Sequence, residues 1–410
     1  MTLESLSATP HPVIIFGDNI TSFGVIRGLR ELGVEIYVVS DTGAGLAKYS
    51  KYVKEVFTLH HSENDYVTRI IDWIHKTFLV NPVLMVAGND DALMVLSKEH
   101  RRLSECSIPT FPPWDIVNTV INKEIVSQIA SDLDVPVIKT QSITSKDELD
   151  EYFYSEPNIN YPLFLKSSYS RQFMEKYKTK GVICYSEHEV KEAFVNYSGF
   201  LGALLIQDFL PGDIDQISAV LLVLNKNSKV ISVVANDKIR SAVRYGSTTL
   251  SSSSWNQKMV DDAIKLAEKA GYVGFVGVQF KYDPRCDEYK FLEINGRFSV
   301  SVSLACRCGV NMPKIVYEEF SGRGLAKLPD LKKHYQDNIL LWFPFSDVKI
   351  LSQKRFYTKP LHYISSLKGS GYVIEPFAIN DPFPGLVEVT KFLTRPIRFL
   401  INKIRTHMSK

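Results

Sequence analysis

One stretch near the amino terminus, HPVIIFGDNITSFGVIRGLRELGVEIYVVSD, constrains the fold more than any other. Val13 to Phe16 is a short, mostly β-branched run that stops at Gly17. Ile26, Leu29 and Leu32 then recur at helical spacing, Gly33 closes the helix, and Glu35 to Val39 is a second strand-like run. Strand, turn, helix and strand predict a βαβ unit with a right-handed crossover. A dinucleotide fingerprint would set G-x-G-x-x-G at the first turn. Here Asp18 and Asn19 follow Gly17 and the next glycine is Gly24, so NAD is disfavoured. Gly17 either only makes the tight turn or borders a small-ligand site at the strand's carboxyl end. A further strand, Pro82 to Gly88, ends in Asn89, Asp90 and Asp91 just before a helix. Asp90 reads as that helix's N-cap, with Asp91 favourable in its first turn. The same edge is where open α/β sheets hold ligands, and an aspartate there can bind a substrate ammonium.

At 410 residues the chain exceeds one small core and calls for about two to four domains. Its 45% hydrophobic and 23% charged residues are ordinary for a soluble globular protein, and a net charge of +3 gives no reason to expect nucleic acid. The five cysteines are an odd number without a C-x-x-C pair, which reads as free thiols in a reducing compartment. The start, MTLESLSATPHP, lacks the basic and apolar regions of a secretory signal. No apolar run approaches the ~18 residues of a membrane span. The expected location is cytoplasmic.

The middle of the chain carries cations at strand ends. Pro112-Pro113 reads as a linker, and a helix then has Lys123 near its beginning. Leu163 to Lys166 is a strand ending in lysine, followed by a polar Ser/Lys-rich loop and a second strand, Val182 to Tyr185. A mobile basic hairpin loop suits a lid over phosphates, and a solvated hairpin tip looks the same. In ALLIQDFLPGDIDQ the apolar run ends at Gln207 and Asp208, and Pro211-Gly212 breaks the strand. Backbone groups freed by such a break can read a purine edge, while Asp215 can accept a ribose hydroxyl; a plain β-turn is the alternative. Lys238, Arg240 and Arg244 lie within seven residues, which suits an anionic substrate or a solvated face.

The most specific pattern is VGFVGVQFKYDPRCDEYKFLEINGRF, a hairpin with strands at Val276 to Tyr282 and Lys290 to Ile294. Side chains alternate along a strand, so Glu293, Asn295 and Arg297 share one face. If Gln279 pairs across from Glu293, three oxygen-bearing side chains converge. Oxygen donors are what Mg²⁺ requires, with water and phosphate oxygens in the remaining positions. Arg297 can fork onto a phosphate.

In their order, Lys123, Lys166, QDFLPGD, DKIR, GVQF and FLEINGRF resemble the ATP-grasp superfamily, in particular carboxylate–amine ligases similar to the ATP-binding unit of the carbamoyl-phosphate synthetase large chain. The resemblance covers roughly residues 10 to 325 and is most specific at the E-I-N-x-R element. It implies an α/β (α+β) chain: a Rossmann-like pre-ATP-grasp domain at 1–112, a small ATP-grasp lobe with a phosphate lid at 113–205, a large lobe with the magnesium site at 206–325, and a C-terminal extension at 326–410. It further implies ATP with Mg²⁺ or Mn²⁺. Lys123, Lys166 and Lys238 would contact the nucleotide with Gln207, Asp208 and Leu210 near adenine and Asp215 at the ribose. Gln279, Glu293 and Asn295 would hold magnesium, and Arg240 and Arg297 would steady the transferred phosphoryl group. Gly17, Asp90, Asp91 and Arg244 remain for the substrate. Three departures stand out: Gly296 where the family usually has proline, which loosens the turn after Asn295; a glycine-poor lid, SSYSRQFMEKYKTKG; and glutamine rather than glutamate at 279.

The expected activity is amide formation between a small acid and an amino acid through an acyl-phosphate, a reaction needing positioned charge rather than a protein nucleophile. An ATP-grasp carboxylase, a phosphotransferase and a silent nucleotide-binding regulator are the alternatives. A biotin carboxylase would need a carrier surface and a bicarbonate site, neither legible in the sequence. The tail ends in a basic amphipathic helix in which Phe392, Ile397, Phe399, Ile401 and Ile404 alternate with Lys391, Arg395, Arg398, Lys403 and Arg405. Such a helix can pack on its own protein or a partner, or lie on an anionic membrane. DPFP, Asp381 to Pro384, looks like a motif that closes many of these ligase-like chains. A homodimer is a family-level expectation only.

Overall fold

The computed structural model describes residues 10–78, 82–156, 158–168, 170–179, 181–200, 203–211, 217–241, 248–323, 335–348 and 364–394. The first sheet holds β1 (Val13–Phe16), β2 (Ile36–Ser40), β3 (Val53–Thr58), β4 (Val83–Ala87) and β5 (Ser107–Pro109). All are parallel, in the order β3-β2-β1-β4-β5. Every residue of β1, β2 and β4 is buried, which is why these strands read as continuous apolar runs rather than alternating ones. The helix Ile20–Leu29 supplies the crossover; Asn19 caps it by accepting from the Thr21 and Ser22 amides, and Gly33 ends the following turn at φ 62°. The strand order reverses between β1 and β4, the position where sheets of this kind open a crevice.

The second sheet is antiparallel, with β6 (Thr140–Ile143), β7 (Leu163–Ser167), β8 (Val182–Cys184) and β9 (Leu204–Asp208) in the order β6-β9-β7-β8. The segment between β7 and β8 is not the plain loop expected from its polarity. It contains the helix Ser170–Tyr177, whose Phe173 is buried against the rings of Tyr177, Tyr197 and Phe200. Phe173 and Tyr177, four residues apart, share a helix face, and their burial outweighs the polar composition around them. Strand β9 runs across position 205, where the sequence reading set the limit of the small lobe.

The third sheet contains β10 (Ile217–Leu224), β11 (Val230–Ser241), β12 (Thr248–Ser253), β13 (Gly274–Asp283), β14 (Glu288–Asn295), β15 (Ile339–Trp342) and β16 (Gly371–Ile374), in the order β14-β13-β10-β11-β12-β15-β16. The two last strands come from beyond residue 325. The tail is therefore not merely a helical appendage; it completes the sheet that carries the hairpin.

Buried charge fastens this tail. Asp347 is inaccessible to solvent and accepts from Arg240 Nε at 3.1 Å, from Arg240 Nη2, from Thr249 Oγ1 at 2.7 Å and from Trp342 Nε1 at 2.8 Å. Glu375 takes Arg27 Nη1 and, at 2.7 Å, Ser303 Oγ, while Asp381 of DPFP accepts from Ser50 Oγ at 2.8 Å and the Lys51 amide at 3.1 Å. Arg240 is thus not placed at a phosphate. The β11–β12 pairing shifts register between Lys238 and Arg240, and the extra residue turns Arg240 away from the face it would share with Lys238. A helix over 382–394 follows; the remainder of the basic amphipathic pattern lies outside the described residues. Among the described residues no helix is long and apolar enough to cross a membrane, and the five cysteines are all unbridged.

Removing one partner from such a buried pair leaves the other charge uncompensated, at a cost of about 3–5 kcal/mol. Asp347→Ala is expected to lose that much stability in urea unfolding followed by circular dichroism. A loss under about 1 kcal/mol, typical of exposed pairs, would refute the structural role given to Arg240.

Candidate active site

A cavity of about 170 Å³ opens between the second and third sheets. Phe164 and Lys166 of β7, Gln207 and Asp208 of β9, and Phe209 and Leu210 after it form one wall. Ile217 of β10, Lys238 of β11, Gln279 and Lys281 of β13, and Leu292 and Glu293 of β14 form the other, with Lys123 and Ile138 at the side. The sequence-read residues Lys123, Lys166, Gln207, Asp208, Leu210, Lys238, Gln279 and Glu293 are therefore brought together. Asp215 and Arg244 lie outside the described residues.

The hairpin has the expected geometry. Gln279 pairs with Glu293 and Gly277 with Asn295 across the β13–β14 ladder. The turn is pinned by Asp283, whose buried carboxylate accepts from Arg285 Nε at 2.8 Å and Lys290 Nζ at 3.0 Å. The hydrogen bond from Arg285, followed by that from Lys290, holds this carboxyl far below the usual range despite burial. Asn295 Nδ2 reaches Glu293 Oε1 at 3.5 Å. An amide, a carboxylate and a second amide on adjacent strands are an all-oxygen donor set, which fits a hard divalent cation such as Mg²⁺.

Lysines furnish the other half of the site. Lys166, 7% exposed, donates to Gln207 Oε1 at 2.8 Å, and Gln207 Nε2 donates to Thr140 Oγ1 at 2.8 Å. Lys123 opens the helix Lys123–Asp132, which Asn122 caps. Lys281 was not among the residues singled out from the sequence. It is buried, donates to the Leu210 carbonyl at 3.0 Å and lies 5.6 Å from the centre of the Phe209 ring. Its position two residues after Gln279 was the available signal, because period two puts both on one face. The same face holds Asn236, reached from Gln279 through Ala219, and its buried Oδ1 has no hydrogen-bond partner among the described residues.

Arg297 departs from its expected position. Strand β14 ends at Asn295, and Arg297 instead forks onto Asp90 with Nε–Oδ1 at 3.0 Å and Nη2–Oδ2 at 3.1 Å. The turn between them is not loosened by Gly296. The buried Tyr272 hydroxyl donates to the Gly296 carbonyl, and a Cβ at 296 would lie 2.5 Å from that hydroxyl. Burial, then the charge of Asp90, keeps Tyr272 protonated well above the ordinary tyrosine range. Asp90 is not the N-cap of the helix Asp90–Lys98: Asn89 is, its side chain accepting from the Ala92 amide at 2.8 Å. That leaves the Asp90 carboxylate to Arg297, and Asp91 lies 3.8 Å from His61 Nε2. Gly17 adopts φ 113°, and a Cβ there would lie 2.6 Å from Asn89 Nδ2, so both the backbone conformation and the neighbouring Asn89 side chain require glycine at this turn.

Comparison with known proteins agrees with this geometry. Residues 202–339 match the family described as ATP-grasp in the biosynthetic pathway with Ter operon. A D-aspartate ligase of Enterococcus faecium is 22% identical over 325 residues, covering 75% of this chain and 76% of that protein. The arginine-specific large chain of mitochondrial carbamoyl phosphate synthase from Schizosaccharomyces pombe is 22% identical over 320 residues, 74% of this chain but only 26% of that protein. Among solved structures, a biotin carboxylase–β,γ-ATP complex from Campylobacter jejuni superposes with a TM-score of 0.62 at 16% identity, over 80% of this chain and 74% of that one, a likeness of fold. With the hairpin, the lysine-lined cleft and the preceding parallel sheet, these matches show ATP-grasp sequence over residues 202–339 and an overall similarity of the chain to ATP-grasp proteins.

Proposed function

We propose that the chain is an ATP-dependent ligase that joins a small carboxylic acid to an amine through an acyl-phosphate, with an amino acid among its substrates. The observation that carries this reading is the in-register pairing of Gln279 with Glu293, beside Asn295, on the wall of a cleft that also holds Lys123, Lys166, Lys238 and Lys281. Its similarity to a D-aspartate ligase over three quarters of both chains supports an amino acid as the acid partner.

In this reading the segment from Gln207 to Leu210 receives adenine, and the lysines neutralise the phosphate chain. Gln279, Glu293 and Asn295 would hold Mg²⁺, which when bound supplies charge compensation for the departing phosphoryl group. An oxygen of the acid substrate attacks the γ-phosphorus, the bond to the β-phosphate oxygen breaks, and ADP leaves. The amine, having lost its proton, attacks the acyl carbon; the C–O bond breaks and phosphate leaves with its electron pair. Water must stay out between these steps, because it would hydrolyse the acyl-phosphate. The polar segment around the helix Ser170–Tyr177 is the element we assign to cover the cleft. Arg297, beside the magnesium residues, exchanges Asp90 for the anion of the substrate or intermediate.

Phosphate release from ATP with Mg²⁺, scanned over amino acids and small organic acids with hydroxylamine as acceptor, tests the reaction. Acid-dependent hydroxamate formation is expected, and Glu293→Gln should lower kcat about 100-fold, the size of effect that follows from losing about 2.7 kcal/mol of charge stabilisation. Phosphate release with an acid but no acceptor would favour a phosphotransferase, and nucleotide binding without release would leave a regulator. A second variant tests the cleft wall. Lys281→Met should raise the KM for ATP about tenfold while changing kcat less, as expected when binding shared by ground and transition states is lost; an unchanged KM would remove Lys281 from the nucleotide site.

A further inference from the structure

We propose that Asp41, His60 and His61 form a binding site for a divalent transition-metal ion of the zinc class, at the carboxyl edge of the first sheet and separate from the magnesium residues. The three side chains each bring a donor atom within 4.8 Å of the others. Asp41 follows β2, and the two histidines follow β3.

The donors are already ordered. The His61 amide donates to Asp41 Oδ1 at 3.1 Å, which fixes that carboxylate and aims Oδ2 at His61 Nδ1, 3.0 Å away. Two ligands of one ion with bonds of about 2.0–2.1 Å stand about 3 Å apart, so an ion can take the place of the proton shared here. The His60 ring stacks on His61 with centroids 4.6 Å apart and planes 23° apart, so two consecutive residues present imidazoles to one side. His60 itself is held by its amide on Glu63 Oε1 at 3.2 Å and by Nδ1 on Ser62 Oγ at 2.8 Å. On the far side of the His61 ring, Nε2 faces Asp91 Oδ2 at 3.8 Å. A carboxylate behind a ligating imidazole is the outer support that metal-bound histidines usually have.

The donor chemistry separates this site from the hairpin. Imidazole nitrogens suit zinc, copper or nickel, whereas magnesium takes oxygen. Three protein donors also leave at least one coordination position for water or a ligand.

The test uses full-length, tag-free, metal-free protein with the exposed Cys286 thiol blocked, since that thiol is an independent zinc ligand. Zn²⁺ is titrated in competition with a chromogenic chelator in the presence of millimolar Mg²⁺. One equivalent is expected to bind, and Co²⁺ in its place should give visible absorption bands. Asp41→Asn, and the double change His60→Gln with His61→Gln, should each weaken binding at least tenfold. Asp91→Asn should weaken it by about tenfold through the orientation of His61. Melting curves of all variants without metal should match the unsubstituted protein. Failure to bind Zn²⁺, displacement of it by Mg²⁺, or equal affinity in every variant overturns the site. Hydroxamate formation is not a readout, so these results do not depend on the ligase reading.

Discussion

The register between β13 and β14 is the constraint on which the candidate site depends. Gln279 must face Glu293, and a slip of β14 by one residue would send Glu293 to the opposite, apolar face of the sheet while Gln279 stays in place. That opposite face contributes Val278, Phe280 and Ile294 to the main core, so the hydrophobic effect itself opposes the slip. The hairpin turn adds a second lock through Asp283 and its two cations. The polar donors are thus held in place by burial of their neighbours rather than by their own interactions.

Much of this was legible in the sequence because period two and period 3.6 leave clear traces. Val13 to Phe16 is the strand the sequence indicated. The Gln279–Glu293 pairing is expected from the face the two residues share, but it is reached through a register shift that leaves Leu292 as an extra residue in β14, since counting back from the turn would pair Gln279 with Leu292. Arg240 was misplaced because a single extra residue in a strand reverses the sense of alternation, and nothing in DKIR announces it. Arg297 lies off the strand face expected for it and pairs with Asp90, because alternation holds only while the strand lasts, and the strand ends two residues earlier. Lys281 was overlooked although it sits on the same face as Gln279; a lysine in an apolar run reads as a solvated edge until its carbonyl partner is known. The capping role given to Asp90 belongs to the preceding residue, a shift of one position that frees a carboxylate for a distant guanidinium.

The tail shows a different kind of hidden order. The sequence drew attention to its basic amphipathic helix, yet the carboxylates Asp347, Glu375 and Asp381 are among the most deeply buried described groups. Buried carboxylates need donors, and each finds them on an element far away in sequence: Arg240 and Thr249, Arg27 and Ser303, Ser50 and Lys51. Asp347, Glu375 and Asp381 therefore fasten the described part of the tail to the first and third sheets, with the DPFP element among the fastenings.

The contact between Gly296 and Tyr272 has a consequence for related sequences. A pyrrolidine ring at 296 and a phenol at 272 cannot share the same space, so a chain with proline in the first position has to carry something smaller, or displaced, in the second. The two sites are coupled by volume as well as by the hydrogen bond from the Tyr272 hydroxyl to the Gly296 carbonyl. Substitution at one without the other should be rare wherever this bend is kept, and the exchange would mark the bend in chains known only as sequences.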